Sequence, residues 1–260
     1  MTLLDMIKKI KIDLTQGYVH VDQWPGPYYD FDITPKDFLN FGKLDFKQND
    51  RRGLINSLTN AKRAIDCQTD KILLSFGIDP NDFPKVINDY ISKSTSSPSK
   101  KDLPARLRFL QAINFAPAEI VTNVRNLRNK LEHYYKEPTN YDASNAIELA
   151  ELFILATDSK LKGMLEFILT DKDKYSKNEE SLKESAFFQY NSEKHFFNVT
   201  GRFGQSRKTL KIQNTDIEFY GILKVATSFD YPEDVQDSMI ELMGLIGHPI
   251  PAKNINIEVE

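Results

Sequence analysis

Apolar residues recur at helical spacing through the middle of the chain and give way to short β-branched runs towards its end. Leu54, Leu58, Ala61, Ile65 and Ile72 follow one another at three, four and seven residues, which predicts a long helix over about 50–77. A second helix is expected after Asp79-Pro80, carrying Val86, Ile87, Tyr90 and Ile91, and 92–101 reads as a serine- and lysine-rich loop. Further helices are expected over 103–115, 117–136 and 141–169. Pro117 suits a first helical turn, and Pro138 separates the last two helices. Upstream, Leu3, Ile7, Ile10 and Leu14 predict a short amphipathic helix or strand. Trp24-Pro25-Gly26-Pro27 cannot continue a regular element, whereas Thr34-Pro35-Lys36-Asp37 has the form of a helix start.

Beyond Thr170 the pattern changes. Residues 171–183 are charged without apolar periodicity and read as a linker. The runs 187–190, 195–200, 209–213 and 217–227 read as strands, with Gly201-Arg202-Phe203-Gly204 and Asn214-Thr215-Asp216 as turns. A helix over about 233–245 and an extended tail follow. The expected fold is therefore mainly α. It has an irregular N-terminal extension (1–46), a helical domain (47–170) and a small α+β C-terminal subdomain (184–260) with an antiparallel sheet.

Composition narrows the function classes. Of 260 residues, 40% are hydrophobic and 27% charged, as in ordinary soluble proteins. The net charge of −3 means that any contact with RNA must come from a local patch rather than from the chain as a whole. The single cysteine, Cys67, excludes an intrachain disulfide and fits a reducing compartment. His20, His133, His195 and His248 lack metal-ligand spacing, so no metal site is expected. No phosphate loop or nucleophile elbow is present, and no cofactor is expected. Charged residues interrupt the apolar positions of 1–14, and no stretch reaches the length of a bilayer span, so a cytoplasmic protein without membrane contact is expected.

The chemistry concentrates in the helix expected over 117–136. There Ile120, Val124, Leu127 and Leu131 share one stripe, while Asn129 and His133, four residues apart, lie on the far side beside Arg125. Arg128 stands between the two faces. An imidazole exchanges protons near neutral pH, and a guanidinium holds phosphate through its fork of donors. The same residues also fit a solvated histidine and an ordinary ion pair of Arg128 with Glu132.

Arg128-Asn129-Lys130-Leu131-Glu132-His133 resembles the motif of HEPN domains: arginine, a polar residue, three variable residues, histidine. Asn60-Ala61-Lys62-Arg63-Ala64-Ile65-Asp66 is similar to the first helix of that family, and Ala146-Ile147-Glu148-Leu149-Ala150-Glu151-Leu152-Phe153 to the helix after the motif. The resemblance covers about 45–170. It implies a HEPN-like helical bundle that forms a homodimer through the motif helix and cleaves RNA without a metal. Arg128 would hold the phosphate, His133 would move protons, and Asn129 would orient the histidine. The settings it implies are toxin–antitoxin and antiphage systems. The other reading it leaves open is a non-catalytic HEPN assembly or ligand-sensing module. Tyr135, two residues after His133, matches the tyrosine modified in HEPN toxins by a separately encoded antitoxin.

Weaker candidates surround this core. Arg125 and Lys130 on the same helix, and Arg202, Arg207 and Lys208 near Phe203, are candidate RNA contacts. Cations on such a hairpin also serve to discourage edge-to-edge pairing. Asp66 is a candidate support for the catalytic groove.

Overall fold

The computed structural model describes residues 1–22, 26–94, 103–116, 126, 129, 131, 133, 135–162, 166–173, 182 and 184–259. The chain opens on α1 (Leu3–Ile10), started by a reciprocal cap between Thr2 and Asp5. β1 (Gly17–Asp22) follows, then α2 (Pro35–Phe46), where Thr34 and Asp37 form a second such cap and Pro35 occupies the first turn. The long α3 (Arg51–Ser75) is capped by Asp50, whose carboxylate accepts from the Gly53 N–H at 2.6 Å.

Next come α4 (Lys85–Lys93), α5 (Ala105–Ala112) and α6 (Asn140–Lys162). α6 leads into β2 (Glu166–Asp171), β3 (Glu184–Asn191), β4 (Phe196–Phe203) and β5 (Ser206–Gln213). The chain closes with α7 (Ile217–Ala226), α8 (Pro232–Leu245) and β6 (Ile257–Val259).

The strands form one six-stranded mixed sheet in the order β5-β4-β3-β2-β1-β6, antiparallel except for the parallel pair β1/β6. Val19, Phe167, Leu169, Phe188, Tyr190, Phe197 and Val199 on this sheet are buried. Phe167 stacks on its cross-strand partner Phe188 at 4.4 Å, and Phe197 meets Phe219 of α7 at 5.2 Å.

Ion pairs give the helix directions. Arg51 Nε lies 3.1 Å from Glu137, just before α6, while Lys71 Nζ lies 3.2 Å from Asp158 near its end, so α3 and α6 run parallel. α2 runs against both: Lys36 reaches Asp158, Lys43 reaches Glu151, and Asn60 donates to Asp45.

This α/β architecture overturns the expectation of a mainly α HEPN-like bundle with a small C-terminal sheet. The N-terminal region is not irregular, since it supplies β1, an inner strand. The expected helix over 141–169 stops at Lys162, and β2 follows. β2 (EFILTD) is buried at every position, and a short apolar run of that kind carries no period by which to tell strand from helix. The reverse error falls on 217–227, where the expected strand is α7, buried from Phe219 to Ala226. Gly201, Arg202 and Phe203 belong to β4, and the turn sits at Gly204, whose φ of +62° suits glycine. Most of the expected linker at 171–183 lies outside the described residues.

Candidate functional site

Asn126, Asn129, Leu131 and His133 have helical backbone, and Tyr135, with a φ of +54°, ends that stretch. Leu131 packs against the core, Asn129 is half-buried and His133 is exposed, as expected for one helix with an inner and an outer face. Arg128, Arg125 and Lys130 lie outside the described residues. Two local devices hold the chain just beyond. Thr139 and Asp142 cap α6 reciprocally, and Glu137 is paired with Arg51 at the start of α3. Tyr135 is 88% exposed and Tyr141 on α6 is also exposed, so two large aromatic side chains stand at the surface close to His133 in sequence.

The weaker candidates are placed elsewhere. Asp66 pairs with Lys62 one turn earlier on α3 and faces Arg106 and Leu107 across a cavity of about 120 Å³. No hydrogen bond or ion pair joins it to Asn129 or His133. Arg202 on β4 stands directly opposite Arg207 on β5, and Lys208 opposite Gly201, along the outer edge of the sheet. The sheet meets the far end of α3, where the Tyr190 hydroxyl donates to the Ser75 carbonyl at 2.9 Å. A helix of α3's length spans about 37 Å. The basic hairpin therefore does not share one phosphate-sized site with the segment beside Arg51.

The structure gathers a second cluster that sequence reasoning did not single out. Beneath an extended strap at 26–33, Lys71 on α3 and Asp158 on α6 are buried side by side, and Gln68 Nε2 donates to Thr157 Oγ1 at 2.9 Å and to Asp158 at 3.3 Å. Burial would raise the Asp158 carboxyl, but Lys71, Gln68 and Lys36 outweigh it and hold the group below its ordinary value. Lys71 Nζ also sits 4.9 Å over the Tyr28 ring. The strap can cross here because Gly26 lies directly on the Leu161 carbonyl, in space that any Cβ would invade. Only the Thr34-Pro35 helix start was visible in the sequence. Lys71 and Asp158 lie 87 residues apart, and no local pattern links them.

Among the described residues, no group of three or more His, Cys, Asp or Glu side chains is placed to hold a metal ion, and no helix is long and apolar enough to cross a membrane. No family model, curated protein or solved structure matches this chain. The fold and its sites define an α/β protein with a helical layer on a mixed sheet, presenting one exposed histidine helix and one lysine-rich cleft.

Proposed function

We propose that this protein is an endoribonuclease effector of a toxin–antitoxin or antiphage system, cleaving RNA by 2′-hydroxyl transesterification at the helical stretch bearing His133. The observation that carries the reading is the division of that stretch, with Leu131 packed inward and His133 presented to solvent. The activity is suggested by the motif at 128–133 together with the segments 60–66 and 146–153, in a fold that is α/β rather than a helical bundle.

In the proposed reaction one imidazole takes the proton of the ribose 2′-hydroxyl as that oxygen attacks the adjacent phosphorus. A second imidazole, from the other subunit of a homodimer joined through the motif helix, gives a proton to the departing 5′-oxygen. Arg128 neutralises the charge gathering on the phosphate oxygens, and Asn129 orients His133. The products are a 2′,3′-cyclic phosphate and a 5′-hydroxyl, so no metal or cofactor enters the balance. Arg125 and Lys130 would hold flanking phosphates, with Arg202, Arg207 and Lys208 as a remote track for longer RNA. The exposed Tyr135 would leave its hydroxyl open to a modifying antitoxin, and the exposed Tyr141 adds apolar surface for self-association.

Incubation of RNA with the full chain in EDTA tests the reading. His133→Ala is expected to lower the cleavage rate by about a hundredfold or more while leaving the circular dichroism unchanged. Equal cleavage by wild type and variant, or intact RNA alongside a stable dimer, would overturn it; the latter favours a non-catalytic assembly role for the same helix.

A further inference from the structure

We propose that the cleft between the strap at 26–35 and the α3/α6 pair binds a ribonucleoside monophosphate. The cleft is a cavity of about 150 Å³ bounded by Tyr28, Asp30, Thr34, Lys36, Gln68 and Lys71, with Asp158 and Lys162 at its α6 side. A volume of that order accommodates a six-membered ring. Three lysines, Lys36, Lys71 and Lys162, line it. Asp158 engages the first two, and Lys162 makes no ion pair among the described residues. Asp30 is the other acid of the cleft, and its proximity raises the Tyr28 phenol above its ordinary value.

The start of α2 also borders the cavity through Thr34 and Pro35, with Asp37 closing its cap. Tyr28 is 66% exposed and offers ring surface for a base to stack on. Gln68, which borders the cavity, is itself fully buried, and its Oε1 has no hydrogen-bond partner. A lysine-lined rim and a flat aromatic wall together match a phosphate and a base. The inference does not depend on RNA cleavage.

Calorimetric titration of the full chain with uridine and guanosine 5′-monophosphates, and separately with uridine and inorganic phosphate, tests it. Saturable 1:1 binding of at least one nucleotide, tighter than either fragment, is expected, weakened about tenfold or more by Lys36→Ala and by Tyr28→Ala. Both positions are exposed, so these variants keep the fold. Wild-type affinity in His133→Ala would separate this site from the cleavage site. Absence of saturable binding, phosphate binding as tight as the nucleotide, or unchanged affinity in both exposed variants would show that the cleft holds only water or an adventitious ion.

Discussion

Lys224 on α7 is 1% exposed, and its ammonium lies 2.7 Å from Glu241 on α8 and 3.2 Å from the Ser94 hydroxyl. The Tyr90 hydroxyl donates to the other carboxylate oxygen of Glu241 at 3.0 Å, and burial together with that carboxylate pushes the phenol well above its ordinary range. Two buried charges thus face each other directly, with neutral hydroxyls beside them. Lys224→Met removes the buried ammonium paired with Glu241 and is expected to cost about 3–5 kcal/mol in urea unfolding. Adding Glu241→Gln removes the charge, keeps an acceptor for Tyr90, and is expected to recover most of the loss. If single and double variants are equally unstable, the pair is not what holds α4, α7 and α8 together. Cys67 illustrates the same control by environment, since burial pushes its thiol up to about 11 and leaves it a poor nucleophile at neutral pH.

Elements meet at junctions that local sequence only partly encodes. The turn between β3 and β4 docks on the end of α3 through His195, which has a φ of +53° and whose ring covers Gly77 so closely that a Cβ there would lie 2.5 Å from Cγ. The Tyr190 hydroxyl donates to Ser75, so the network assigns the proton on His195 Nδ1 to the Tyr190 oxygen 3.1 Å away. Burial lowers the His195 pKa, offset only in part by the Ser75 carbonyl. The unfolded chain then binds the proton more readily than the folded one. This contribution is complete above the unfolded value of about 6.5 and is lost as pH falls through the lower folded value. The urea midpoint is expected to drop between pH 7 and pH 5.5, and His195→Asn, which tolerates the left-handed backbone, should flatten that drop. An unchanged slope in the variant would assign the effect elsewhere, with His248, also lowered by burial, as the next group to test.

At the scale of the whole molecule, β1 is an inner strand between β2 and β6, so the sheet ties the first residues to the last. Deleting 1–22 would expose the β2 edge and the buried Val19 partners, and is expected to abolish cooperative unfolding as followed by near-ultraviolet circular dichroism. A fragment of 47–170 should likewise fail to fold, because β2 would lack both neighbours. A cooperative transition in either would contradict this architecture. Long, half-exposed helices were legible in the chain: α3 runs Arg51–Ser75 where the spacing placed 50–77, and the Thr34-Pro35 start opens α2. Their polar faces leave a period to read. β2 and α7, buried on nearly all sides, leave none, and their type was decided by what packs around them. By itself the sequence determined where amphipathic helices run and which helix carries His133 outward. Only the tertiary structure decided the order of the strands and the meeting of Lys36, Gln68, Lys71 and Asp158, because contacts across dozens of residues are set by the packing of whole surfaces, which no local spacing records.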